Sequence, residues 1–153
     1  MGRYDDDRPR LIAFSSGPRH ESPIAAAAAL RTLVDVVRLD LRHGRITPVE
    51  AIDSVHSLHD QVESSDIGVG RGDDYLQAQI PLLAVQAEAL TQIAEMSDDP
   101  RITRYAALAN EMIPIFRDQQ PGATAADLYP DSTSRSVQIA IELSSLRSEL
   151  GLQ

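Results

Sequence analysis

Hydrophobic residues recur every three or four positions through most of this chain, which is the spacing of an amphipathic α-helix. No segment shows the strict alternation of apolar and polar residues that a half-buried strand requires. We therefore expect an all-α fold, a bundle of four main helices plus one short helix, with an extended N-terminal arm. The helical pattern covers about residues 23–43, 48–65, 74–96 and 100–116 for the main helices and 124–129 for the short one, and a last helix follows over about 132–150.

The N-terminal segment stands apart because residues 1–23 lack this periodicity. Its polar parts cannot bury enough apolar area to fold alone, so we divide the chain into an arm over 1–23 and a helical bundle domain over 24–153. One apolar cluster interrupts the arm, Leu11 to Phe14. We expect Leu11, Ile12 and Phe14 to dock on the body of the protein or on a partner.

Several helix boundaries carry local signals. Thr47 and Glu50 flank Pro48 with the spacing of a capping box, which predicts a helix start there. Gly44 is placed to end the preceding helix, and Asp131 or Ser132 is placed to cap the last one.

Helical spacing also puts Tyr105 in the core face of the helix over 100–116, and Val137 and Ile141 at the edge of the core face of the last helix. Pro81 interrupts the helical pattern over 74–96. The sequence is compatible with either one helix kinked at Pro81 or two separate segments.

The segment over 74–96 has the widest apolar surface. One seam repeats at alternating steps of three and four, and a second apolar strip lies beside it. The seam consists of Leu76, Ile80, Leu83, Ala87, Leu90 and Ala94, and the second strip of Leu82, Ala89, Ile93 and Met96. We expect this helix to be central in the bundle. The surplus of apolar helix surface favours self-association, and a homodimer is the commonest form.

Composition narrows the chemistry. The 153 residues contain no Cys, which excludes thiolate metal sites and a Cys nucleophile. All 14 basic residues are Arg, and the absence of Lys excludes Schiff-base chemistry and a P-loop lysine. The net charge is −9, and residues 46–100 hold eleven acids against one Arg. Such a surface repels nucleic acid and anionic membranes. No apolar run is long enough to span a bilayer, and we expect a cytoplasmic protein.

Arginines form one stripe on the helix over 23–43. Arg31, Arg38 and Arg42 follow steps of seven and four, which place them on one face. The stripe is either a solvated face or a docking strip for an acidic surface, such as residues 46–100 of another copy. A nucleic-acid-associated regulator that uses this stripe is a further alternative, which the acidity of the chain opposes.

A second stripe lies on the helix over 48–65. Asp53, His56, Asp60 and Glu63 follow steps of three, four and three, so their side chains share one face. Such a set can bind a divalent metal or hold an imidazole for proton transfer. One helix cannot encircle a metal, however, and no second helix offers an obvious set of ligands. The other interpretation is an acidic exposed edge, with His59 in the apolar face.

No catalytic set emerges from these patterns. There is no Gly-x-Ser-x-Gly elbow, and the serine clusters lie in predicted loops or caps. The sequence therefore favours a non-enzymatic helical interaction protein, such as an adaptor, a regulator or a small subunit of a larger complex, that needs no cofactor. The alternative is a metal-binding bundle or metal-dependent hydrolase that uses Asp53, His56 and Asp60.

Overall fold

The computed structural model describes residues 22–65, 75–120 and 122–152, and these ranges are helical with no strand. The all-α expectation is confirmed, with five long helices and one short one where four long ones were expected. The helices are α1 (Pro23–Arg42), α2 (Pro48–Ser65), α3 (Tyr75–Glu95), α4 (Pro100–Arg117), α5 (Ala125–Leu128) and α6 (Arg135–Leu150). Within these ranges, none of the helices has the length and apolar character needed to cross a bilayer.

Local signals place most of the helix ends. At the start of α2, Glu50 N donates to Thr47 Oγ1 (3.1 Å) and Thr47 N donates to Glu50 Oε1 (2.9 Å), which confirms the capping box. Gly44 has φ +70° just beyond α1, as the predicted helix stop requires. The loop between α1 and α2 is therefore short, and the two helices pack directly against each other.

Pro81 lies inside one continuous helix, α3, so the segment is not split. A proline has no N–H, and the carbonyl of Gln77 therefore lacks its usual helical donor. The side chain of Gln77 separately contacts the neighbouring helix, where its Nε2 donates to the carbonyl of Phe116 (3.2 Å). This bond ties the first turn of α3 to the last turn of α4 and shows that the two helices run antiparallel.

The start of α6 differs from its predicted position. The helix begins at Arg135 with Ser134 as its N-cap, rather than at a cap on Asp131 or Ser132. Asp131 caps the preceding turn instead, because its Oδ1 accepts a hydrogen bond from Thr133 N (2.9 Å). Asx turns of this kind compete with the first helical turn for the same backbone groups.

The core lies around α3, which packs against α1, α2 and α4. Its buried side chains cover a wide arc that includes Leu82, Val85 and Ile93, whereas Ile80 and Leu83 from the predicted seam are only half-buried. A helix with three neighbours buries most of its circumference, so no single seam describes it. The central position expected for this helix agrees with these contacts.

The last helix, α6, lies at the periphery and packs mainly on α4. Two ion pairs join α4 and α6: Arg104 with Glu142, and Arg135 with Glu111. The later residue of α4 pairs with the earlier residue of α6, so the two helices are antiparallel. Ile139 faces inward and is fully buried. The expectation that Ile141 widens the buried face is wrong, because Ile141 is 62% exposed.

Candidate functional site

A polar network crosses the interior of the bundle and takes one side chain from each of α2, α3, α4 and α6. His56 Nε2 lies 2.9 Å from Tyr105 Oη, and Gln86 Nε2 lies 3.1 Å from His56 Nδ1. Arg147 Nη1 donates to the same Tyr105 oxygen at 3.2 Å. The rings of His56 and Tyr105 meet edge to face, with centroids 5.9 Å apart and planes at 89°. The network therefore fixes four helices against one another.

The partners of His56 determine its protonation state. With Gln86 Nε2 as the amide donor, His56 Nδ1 accepts the hydrogen bond and is unprotonated. Nε2 then carries the proton and donates it to Tyr105 Oη. A charged imidazole would direct its second N–H at the amide N–H of Gln86. This arrangement of donors and acceptors is that of the neutral Nε2–H tautomer.

The electrostatics agree with a neutral imidazole at His56. Burial, and then the charge of Arg147, lower the pKa of His56 to about 4. Burial also raises the pKa of Tyr105, which is only 3% exposed. The charge of Asp53 raises both pKa values, so it opposes the lowering at His56 and adds to the increase at Tyr105. At neutral pH the network contains a neutral imidazole and a neutral phenol beside one cation.

Sequence patterns predict only part of this network. The spacing in α4 placed Tyr105 in the core, and a buried tyrosine generally needs a partner for its hydroxyl. That requirement is the one signal that pointed to a polar group nearby. Gln86 and Arg147 gave no signal, because their roles depend on which helices are neighbours.

A second group of ionisable side chains lies on α2. His59 Nδ1 is 3.6 Å from Asp60 Oδ1 and 3.6 Å from Glu63 Oε2, and the three side chains offer ligand atoms within 4.8 Å of one another. His59 is buried, as its position in the apolar face predicts. Its Nε2 has no hydrogen-bond partner within the described residues.

The predicted metal-binding set is thus divided between two environments. Asp60 and Glu63 lie beside His59, whereas both ring nitrogens of His56 contact Tyr105 and Gln86. To bind a metal, His56 would have to lose one of these hydrogen bonds. The i, i+4 spacing of His59 and Glu63 was visible in the sequence and is the signal that indicates this alternative group.

Two arginines of the stripe on α1, Arg31 and Arg38, line a groove of about 220 Å³ between α1 and α3. Arg31 Nη2 is 3.3 Å from Glu88 Oε2, and Arg38 Nη2 is 3.0 Å from Asp35 Oδ1. Two of the arginines thus contact carboxylates of the same chain, and one of these belongs to the acidic segment 46–100. Arg42 is exposed at the end of α1. Leu11, Ile12 and Phe14 lie outside the described residues.

An apolar surface occupies the corner between α5 and the outer face of α6. Tyr129, Val137, Ala140, Ile141 and Ser144 line a shallow depression of about 350 Å³, and we call them the α6 strip. Ile141 is 62% exposed and Tyr129 is 40% exposed. A hydrogen bond from Ser136 Oγ to the carbonyl of Leu128, both residues being buried, holds α5 against the start of α6. The strip is therefore formed by anchored elements.

Two other large apolar side chains, Ile24 and Leu39 on α1, are 74% and 46% exposed. Single exposed apolar residues are normal on soluble proteins, whereas a contiguous group marks a contact surface.

No family model matches the chain, and neither the search of curated proteins nor that of solved structures found a similar protein.

Proposed function

We propose that this protein is a non-enzymatic helical interaction protein, an adaptor, a regulator or a small subunit of a larger complex, and that it docks a protein partner on the α6 strip. The exposure of Ile141 within a contiguous apolar surface is the observation that carries the proposal. A partner that presents an apolar segment would remove this surface from water. Burial of a side chain of this size stabilises a complex by roughly 2 kcal/mol.

The position of α6 supports the same function. α6 packs mainly on α4 through its inner face, and Ile141 on its outer face is 62% exposed. A peripheral helix with a buried inner face and an apolar outer strip can accept a partner without disturbance of the core. The ionisable groups of the polar network, by contrast, contact one another and serve the packing of the bundle.

The test is a comparison of two charge-introducing variants. Ile141→Glu places a carboxylate in the strip, and Ala84→Glu places the same charge at an exposed position of α3. Proteins retained from source-cell extract by the immobilised wild type would be purified, and their Kd for each variant measured. We expect Ile141→Glu to weaken binding at least about tenfold, which corresponds to about 1.4 kcal/mol, and Ala84→Glu to leave it unchanged.

Equal affinity of a purified partner for the wild type and Ile141→Glu would refute the proposal.

The homodimer expected from the sequence is tested in parallel by sedimentation equilibrium. A dimer that dissociates in Ile141→Glu and persists in Ala84→Glu would identify a second copy of the chain as the partner.

Metal binding on α2 is the second candidate, favoured by the convergence of His59, Asp60 and Glu63. The set offers one imidazole and two carboxylates from adjacent turns of one helix, which suits a divalent cation that keeps some of its water. Calorimetric titration of the full chain with Zn²⁺ tests this candidate.

Two histidine variants separate the possible ligand sets. If His59 is a ligand, His59→Gln weakens Zn²⁺ binding at least about tenfold and His56→Gln has little effect. The reverse result would favour the set Asp53, His56, Asp60 and Glu63. If the wild type and both variants all give no heat on addition of Zn²⁺, the metal-binding candidate is eliminated.

A further inference from the structure

We propose that a divalent cation bound by His59, Asp60 and Glu63 of α2 takes its next ligand from α3, the side-chain amide oxygen of Gln79. This inference rests on metal binding, the second candidate of the proposed function, and deepens it by naming the ligand that a neighbouring helix supplies. Such a ligand is needed, because three residues on adjacent turns of one helix cannot enclose a cation. The bound cation then joins α2 to α3.

The three side chains on α2 have the separation of metal ligands. His59 Nδ1 lies 3.6 Å from Asp60 Oδ1 and 3.6 Å from Glu63 Oε2, which is too long for a hydrogen bond. Two ligand atoms bound to one Zn²⁺ in tetrahedral geometry lie roughly 3.4 Å apart, since each bond to the metal is about 2.1 Å long. Small side-chain movements are therefore sufficient to bring the three ligand atoms around one cation.

Gln79 is a buried polar residue of α3 with an unpaired group. It is 6% exposed, and its Nε2 has no hydrogen-bond partner among the residues that the structure describes. Buried polar atoms are nearly always paired with protein, water or an ion, so an unpaired amide at this depth indicates a partner that is not a protein group. Rotation of the amide by about 180° exchanges its nitrogen and oxygen and presents the oxygen as a ligand.

Helix register places Gln79 opposite Glu63. The helices α2 and α3 are in contact and are joined by only nine residues, 66–74, which is typical of antiparallel neighbours. His56 Nδ1 and Gln86 Nε2 meet across them at 3.1 Å. Glu63 lies seven residues after His56, and Gln79 lies seven residues before Gln86, which is close to two turns in each helix. Both residues therefore keep the facing direction of the first pair and reach the same level.

The chemistry of the four groups suits a divalent cation. An imidazole and carboxylates are ordinary ligands of Zn²⁺, and amide and carboxylate oxygens also bind Mn²⁺. The two carboxylates, on Asp60 and Glu63, are the more exposed members and balance the charge of the ion. Gln79 is neutral, so its burial avoids the cost of an ionised group in the interior.

Calorimetric titration of the full chain with Zn²⁺ tests the role of Gln79. Gln79→Leu removes the amide and leaves an apolar side chain of similar size in a buried position. Gln61→Leu is the matched control, because Gln61 Oε1 is also buried without a partner in the described ranges. Gln61 is two residues from both His59 and Glu63, which places it on the opposite side of α2.

We expect Gln79→Leu to weaken Zn²⁺ binding at least about tenfold, as loss of a group that supports a metal site does. Gln61→Leu should leave the Kd unchanged. Gln79→Glu replaces the neutral oxygen with a carboxylate and should bind Zn²⁺ more tightly than the wild type. Circular dichroism of each variant separates loss of a ligand from loss of helical structure.

Three results would overturn the inference while metal binding on α2 stands. In the first, the wild type and Gln79→Leu bind Zn²⁺ with equal Kd. In the second, Gln61→Leu weakens binding as much as Gln79→Leu, so the effect is not local. In the third, Gln79→Glu binds no more tightly than the wild type. Absence of Zn²⁺ binding by the wild type would instead eliminate both metal binding and this inference, and docking on the α6 strip is independent of all these results.

Discussion

His56 shows how the neighbours of one side chain determine its chemistry. Its position on a stripe of carboxylates suggested a metal ligand or a proton-transfer group. In the folded bundle the ring contacts Tyr105 and Gln86, and burial with the nearby charge of Arg147 lowers its pKa to about 4. The residue is therefore expected to stabilise the fold only in its neutral form.

We predict that the bundle loses stability as the pH falls below the pKa that His56 has when unfolded. Its folded pKa is about 4 against an ordinary 6.5, so the unfolded chain binds this proton more readily between these values. Stability is complete above about pH 6.5 and declines as the pH falls towards 4. Urea unfolding at about pH 7 and about pH 4.5 should differ by roughly 2 kcal/mol from this group.

His56→Gln is the control for this effect, because glutamine does not titrate. The variant should lose much less stability than the wild type between the two pH values. NMR titration of the His56 ring supplies an independent check. A measured pKa near 6.5 in the folded protein would show that the interior position does not favour the neutral imidazole.

Tyr105→Phe tests the centre of the network. The substitution removes the hydroxyl that accepts from Arg147 Nη1 and contacts His56 Nε2, and both groups lose a partner. Loss of hydrogen bonds in a buried setting costs about 1–3 kcal/mol of unfolding free energy. Chemical denaturation measures this loss, and a change below about 0.5 kcal/mol would mean that the network is not a source of stability.

At the scale of the helices, local sequence signals were the most informative. The capping box at Thr47 and Glu50 and the glycine stop at Gly44 lie where the sequence placed them, because each depends on residues within one turn. The start of α6 was misplaced because Asp131 and Ser134 are both good caps. The exposure of Ile141 was missed because it depends on a distant property, namely that α6 packs mainly on one neighbour.

The cap of α2 can be tested with a pair of matched substitutions. Thr47→Ala removes the hydroxyl that accepts from Glu50 N, and we expect a loss of about 1 kcal/mol. Thr32→Ala removes an exposed hydroxyl within α1 that donates to the carbonyl of Ala28, and alanine is the better helix former there. Urea denaturation should therefore show a loss for Thr47→Ala only. A similar loss in both variants would indicate that the cap contributes little.

At the scale of the molecule, the sequence predicted the fold class but not the sites. Helical periodicity and the absence of strand patterns are sufficient for an all-α bundle. The network of His56, Gln86, Tyr105 and Arg147 joins four helices, and the spacing within one helix contains no information about its neighbours. The α6 strip was hidden for the same reason, since two of its apolar residues, Val137 and Ile141, were assigned to the core face of the last helix.

The arrangement of the whole bundle separates stability from the proposed interaction. The core around α3 and the polar network hold the helices together, while the outer face of α6 contributes little to that packing. We therefore expect a bound partner to change the environment of one face of α6 and to leave the other face as it is.

Methyl NMR measures this difference most directly, with isoleucine δ1 methyl groups labelled in the full chain. Ile141 is 62% exposed on the outer face, and Ile139 is fully buried on the inner face of the same helix. Addition of a purified partner should shift or broaden the Ile141 signal and leave the Ile139 signal in place. A complex that forms with no change at Ile141 would contradict the assignment of the α6 strip as the docking surface.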